Sequence, residues 1–118
     1  MSQAVAKYAK GYPELQLAMD EGYKVLRYNV GEEFPRHVDQ NQLLYMFTRC
    51  LSVIIYLNDD FEGGETVFPG IQNGLDLLQP PRKGNALVFP SNFAYPHQSL
   101  PIRSGTKYSL VTWLHHTI

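Results

Sequence analysis

From Gly22 to His116, turn-forming residues keep interrupting the chain. They recur at Gly31, Asn58-Asp59-Asp60, Gly63-Gly64, Pro69-Gly70, Asn73-Gly74, Gly84-Asn85 and Ser104-Gly105, and the segments between them are rich in β-branched and aromatic residues. Such segments suit strands, which need only a few residues, better than helices, which need several uninterrupted turns. Strands are expected at Tyr23–Val30, Glu33–Asp39, Phe47–Leu57, Glu65–Phe68, Leu75–Gln79, Ala86–Phe89, Tyr95–Leu100 and Lys107–His115. A count of about eight, with no helical period between them, predicts a mainly β fold, a jelly roll of two antiparallel sheets wound as a double-stranded β-helix. Ahead of it, Ser2 can cap a short helix through Ala6 and Ala9 that stops at Gly11-Tyr12-Pro13. Pro13 can open a second short helix carrying Leu15, Leu17, Ala18 and Met19. The expected organisation is one domain over residues 1–118, with residues 1–21 as a helical lead-in and 22–116 as the jelly-roll core.

The length of 118 residues leaves room for one compact core, and 44% hydrophobic against 18% charged residues can fill it. A net charge of −1 argues against a nucleic-acid or anionic-membrane binder, which carries a basic excess. The single cysteine, Cys50, cannot form an internal disulfide and suggests a reducing compartment. No run approaches the roughly 18 apolar residues of a membrane span, and Met1–Lys10 has no apolar signal region. A cytoplasmic location is the resulting expectation. Composition is silent on the oligomeric state.

Within this frame, His37-Val38-Asp39 stands out. Residues two apart on a strand share a face, so an imidazole and a carboxylate can meet one ion without bending the backbone. A third ligand would complete a facial triad with positions left open, the arrangement of non-haem Fe(II) oxygenases. His97 is the candidate, because the second and seventh strands of a jelly roll can lie side by side. Alone, the pair carries little: four histidines and five aspartates in this length give about 0.2 chance matches. Lys107, ten positions after His97, adds to it. A lysine buried near a metal needs an anionic partner, and a dicarboxylate co-substrate would supply one. Arg103 is the competing cation.

These segments jointly resemble the 2-oxoglutarate- and Fe(II)-dependent dioxygenases, in particular the prolyl 4-hydroxylase-like branch. The resemblance runs through Tyr28 with His37-Val38-Asp39, Arg49 to Asn58, Gly63-Gly64-Glu65-Thr66-Val67-Phe68-Pro69, Pro81 to Phe89, His97, and Lys107 to His115. It implies that His37, Asp39 and His97 are similar to the family's iron ligands. Lys107 resembles the residue that pairs with the distal carboxylate of 2-oxoglutarate, and Tyr28 and Thr66 resemble hydroxyls lining that pocket. Arg49, Trp113 and His115 match positions that face substrate or pocket, while Glu65 is read as structural. The activity implied is hydroxylation of a C–H bond, on a prolyl residue of a peptide or protein, coupled to decarboxylation of 2-oxoglutarate to succinate and CO2 with O2 as oxidant. Ascorbate dependence is a further family expectation.

Departures from the family pattern fall at Phe34, where peptide-hydroxylating relatives often carry Tyr, at Ser52 in place of a more usual Thr, at a brief lead-in before the barrel, and at a brief loop from Gln40 to Met46. Three other readings compete. One is a non-catalytic jelly roll that senses 2-oxoglutarate or binds a partner. Another is an oxygenase acting on a free amino acid or other small molecule. The third is a cupin-type metal enzyme, which would favour a His-x-His pattern that this chain lacks.

Overall fold

The computed structural model describes residues 2–40 and 48–116. The expected loop Gln40–Met46, past its first residue, and the start of the third expected strand at Phe47 lie outside them. One helix, α1 (Ser2–Ala9), is followed by eleven strands among the described residues. They are β1 (Leu17–Asp20), β2 (Lys24–Tyr28), β3 (Phe34–His37), β4 (Arg49–Tyr56), β5 (Glu62–Gly63), β6 (Thr66–Gln72), β7 (Leu75–Gln79), β8 (Ala86–Pro90), β9 (His97–Ser99), β10 (Ile102–Ser104) and β11 (Lys107–His116).

Two antiparallel sheets face one another, the expected double-stranded β-helix. The larger runs β1-β11-β4-β8, with β2 also paired to β11; the smaller runs β3-β9-β6-β7. β11 is the spine. Its first half, Lys107–Val111, pairs with β2, and its end, Leu114–His116, pairs with β1. Its other edge takes β4 in register from Ser109↔Tyr56 to Leu114↔Leu51.

The core lies between the sheets. Leu51, Val53 and Tyr56 of β4 are at most 1% exposed, and Phe68 meets Phe89 edge to face at 5.0 Å. A T-shaped pair of this kind adds about 1 kcal/mol beyond the area it buries.

The second expected helix is corrected by the structure. Leu17–Asp20 forms β1 instead, with Leu17↔His116 and Asp20↔Leu114 as partners. The end of β11 presents unpaired backbone groups on that edge, and satisfying them outweighs a weak local helix preference. Two further strands, β5 and β10, were not expected from the sequence. They are two and three residues long, too short to show a period. They close one end of the barrel by pairing Ile102↔Gly63 and Ser104↔Glu62. No helix of the described residues is long and apolar enough to cross a membrane.

Gly63 makes that closure possible. Its φ is 85°, and a Cβ built there would lie 2.2 Å from the carbonyl oxygen of Pro101. Gly63→Ala must therefore strain the backbone and push β10 away. A loss of about 2–3 kcal/mol, read as a lowered thermal midpoint, is expected.

Candidate metal centre

β3 and β9 are neighbours, and His37 pairs with His97 in register. A register shift between Phe34 and His37 sets this alignment, bringing the imidazole centroids to 4.3 Å. β3 ends at His37, so Asp39 sits on a bend after the strand, not on it. It still turns to the same face: His37 Nε2 is 3.1 Å and His97 Nε2 3.2 Å from Asp39 Oδ1. One ligand atom from each residue lies within 4.8 Å of the others. His97 and Asp39 are 4% and 6% exposed.

The surrounding bonds assign each atom a task. His37 Nδ1 is 2.8 Å from the Pro35 carbonyl, and His97 Nδ1 is 3.0 Å from the Tyr95 carbonyl. A carbonyl only accepts, so both Nδ1 atoms carry protons and both Nε2 lone pairs face the centre. Asp39 Oδ2 accepts from Ser52 Oγ at 2.5 Å and from Trp113 Nε1 at 2.9 Å. Ser52 Oγ is also 2.8 Å from Ser91 Oγ. Oδ2 is thus occupied, and Oδ1 alone faces the imidazoles. Burial by itself would push the Asp39 carboxyl up, but the two neighbouring imidazoles of His37 and His97 and the bond from Ser52 outweigh it and hold the group well below the usual carboxylate range. Burial lowers His37, yet Asp39 and the Pro35 carbonyl raise it overall. Two nitrogens and a carboxylate oxygen converging on one point need a cation among them. That donor set fits a 2-His-1-carboxylate Fe(II) site.

The supporting groups were not named from sequence. Ser52, Ser91 and Trp113 stand on three strands or their ends, so no spacing links them. Phe89 also packs on His97 at 4.8 Å, and Phe34 lies 4.1 Å from His37. Trp113→Phe would keep the ring bulk but lose the bond to Asp39. Metal affinity is expected to fall by about 10-fold, the lower end for loss of an outer partner, read by titration with Co(II).

The triad opens on a cavity of about 380 Å³, which is also lined by Tyr28, Phe34, Arg49, Thr66, Ser99, Lys107 and Trp113. Ser99 is two residues after His97 on β9, so both point into it about 7 Å apart along the strand. Lys107, 2% exposed, donates from Nζ to Ser99 Oγ at 3.0 Å and to the Gly64 carbonyl at 2.9 Å. Its ammonium lies 4.9 Å from the Tyr28 ring centre and 5.3 Å from that of Tyr56. Burial pushes it down to about 8, against an opposing pull from Glu65. With three donors and two neutral acceptors, it has one proton left for an anion. Thr66 Oγ1 is 2.6 Å from Tyr56 Oη, so its hydroxyl is tied to the wall. Arg103 is 64% exposed, 4.0 Å from Glu65 and absent from the lining.

The expected substrate-facing trio divides. Arg49 and Trp113 line the cavity, whereas His115 does not. His115 is engaged outside the cavity, with Nε2 at 2.6 Å from Glu21 Oε2 and Nδ1 at 2.9 Å from Thr48 Oγ1. Trp113 and His115, two residues apart, would share a face of a regular strand, but a register shift falls between Leu114 and His115. Glu21 gave no signal in the sequence.

Residues 23–115 match the family model of the 2OG-Fe(II) oxygenase superfamily. Among curated proteins, probable prolyl 4-hydroxylase 9 of Arabidopsis thaliana is 32% identical over 117 residues, covering 80% of this chain and 40% of that protein. The chain spans less than half the length of the curated relatives it matches. Among solved structures, a prolyl-4-hydroxylase from Pseudomonas putida superposes with a TM-score of 0.79 at 26% identity, over 98% of this chain and 61% of that one. The viral collagen prolyl hydroxylase of Paramecium Bursaria Chlorella virus-1 superposes with a TM-score of 0.79 at 22% identity, over 98% of this chain and 70% of that one, a likeness of fold.

Proposed function

Because the chain belongs to the 2OG-Fe(II) oxygenase superfamily, we propose that it is an Fe(II)- and 2-oxoglutarate-dependent dioxygenase that hydroxylates a prolyl residue in a peptide or protein. The observation that carries the reading is one cavity lined by both the His37, Asp39 and His97 cluster and the buried ammonium of Lys107. The jelly-roll core of residues 22–116 carries the catalytic groups, and β1 of the lead-in pairs with the end of β11 at its edge.

His37 Nε2, Asp39 Oδ1 and His97 Nε2 would hold Fe(II). When bound, iron and 2-oxoglutarate together supply the oxidising chemistry: one oxygen atom of O2 enters the C–H bond and the other enters succinate, with release of CO2. The Pro35 and Tyr95 carbonyls accept from the two Nδ1 atoms and keep both Nε2 atoms aimed at the centre. Ser52 and Trp113 occupy Oδ2 and keep Asp39 a ligand through one oxygen. Lys107 pairs with the distal carboxylate, and Tyr28 and Thr66 line its path. The edge of the cavity formed by Phe34, Arg49 and Trp113 receives the substrate. The prolyl preference follows the curated relatives and the Pseudomonas putida structure. Ascorbate would restore iron oxidised in uncoupled turnover.

The test is mass spectrometry of proline-containing peptides incubated with Fe(II) and 2-oxoglutarate. The expected product gains the mass of one oxygen atom, with stoichiometric succinate. Turnover of free proline or another small molecule, with peptides untouched, would remove the peptide part of the reading. Absence of succinate with every substrate would favour a sensor.

A further inference from the structure

One buried ion pair lies outside both the metal cluster and the Lys107 end. Arg49, the first residue of β4, is 6% exposed. Its Nε donates to both oxygens of Glu21, at 3.1 and 3.0 Å, and its Nη2 donates to Glu21 Oε1 as well. Its Nη1 donates to the main-chain carbonyl of Asp39 at 3.1 Å. Its guanidinium packs on Trp113, with Cζ 3.7 Å from the ring centre. Trp113 in turn donates to Asp39 Oδ2. Arg49 therefore holds Asp39 twice, through the main chain and through the indole.

Glu21 is itself fixed. It follows β1 directly, and its N–H donates to the Trp113 carbonyl at 3.0 Å. Its carboxylate also engages His115, which Thr48 steadies from the other ring nitrogen. β1, paired with the end of β11, delivers this carboxylate to the site.

We propose that Glu21 is a positioning residue for the metal carboxylate, acting through Arg49 and Trp113 to set where Asp39 Oδ1 points. The proposal deepens the iron-centre reading above and rests on it. A buried guanidinium without its counter-ion is costly and turns toward water. Losing Glu21 would therefore loosen both holds on Asp39 together. Sites of this kind tolerate only about 0.5 Å and 10–20° of misplacement. The same geometry engages all three nitrogens of Arg49 with Glu21 and the Asp39 carbonyl, which makes it a clamp on the site as well as part of the cavity wall.

The test uses the full chain without metal, because Trp113 is the only tryptophan and reports its own surroundings. Glu21→Gln keeps the shape and removes the charge. Co(II) binding, followed by visible absorption, is expected to weaken about tenfold, and acrylamide quenching of Trp113 in the metal-free chain to rise by about twofold or more. Glu21→Asp should fall between. In a double-mutant cycle, Glu21→Gln/Arg49→Gln should weaken Co(II) no further than Arg49→Gln alone, since Glu21 works through Arg49. Should Glu21→Gln fail to fold, the double variant carries no orphaned cation and is compared with the parent directly. The proposal is overturned if Glu21→Gln leaves both Co(II) affinity and quenching unchanged, if the two substitutions add, or if the double variant binds Co(II) like the parent. Failure of the parent itself to bind Co(II) would instead overturn the metal-centre reading, so the two failures are distinguishable.

Discussion

Asp39→Asn is expected to fold as well as the parent and yet to lose its metal. The amide oxygen can take the place of Oδ2 and keep the bonds from Ser52 and Trp113. The amide nitrogen then replaces Oδ1, between two Nε2 lone pairs that lie 3.1 and 3.2 Å away. It can donate to both. Every buried polar group keeps a partner, so stability should change by less than about 1 kcal/mol. The cation loses its anionic ligand and faces two donor hydrogens instead. Metal affinity should fall well beyond the 10–100-fold that follows loss of an outer partner, and turnover to below about 1%. Asp39→Ala supplies the contrast. It leaves Trp113 Nε1 without its partner, at a cost of about 1–3 kcal/mol for an unsatisfied buried group, while Ser52 keeps its contact with Ser91. Thermal melting and Co(II) titration on both variants check the pair of outcomes. An Asn variant that still binds Co(II) tightly would sink the assignment of Asp39 as a ligand.

The asymmetry between those two variants also marks how far the sequence could be read. His37 and His97 could be grouped because the jelly roll puts the second and seventh expected strands together, whereas Asp39 reaches their face from a bend after β3 and not through the expected strand spacing. The strands β4, β7, β8 and β11 were visible because turn residues bracket them. What stayed hidden depends on contacts between distant segments. Trp113 reaches Asp39 across 74 positions and Glu21 reaches His115 across 94, and no pattern in the intervening residues encodes either meeting. β1 reads as a helix until the open edge of β11 is known. Arg49 and His115 were placed by resemblance at the substrate; only the packed structure shows Glu21 beside both. Phe34, the departure from the family pattern, stands 4.1 Å from His37 at the cavity wall.

Lys107→Ala should raise the apparent KM for 2-oxoglutarate by about 30-fold or more, because removing one partner of a buried charge pair costs about 2–5 kcal/mol. Arg103→Ala should leave it unchanged within about twofold, since a mostly exposed guanidinium adds little. The fold supports Lys107 at a cost: burial pushes its ammonium down to about 8, so it holds its proton less tightly than a lysine in water until an anion arrives. Only the protonated form can pair with a carboxylate. Below pH 8 the lysine is charged and binding is at full strength; as pH rises through about 8 the free enzyme loses the proton, and the apparent KM should climb by about tenfold per unit. In Lys107→Ala this rise should vanish, leaving a high and nearly flat profile. A parent profile that stayed flat across pH 7 to 9 would show that burial does not push the ammonium down, and an Arg103→Ala variant that carried the loss would assign the carboxylate to another cation.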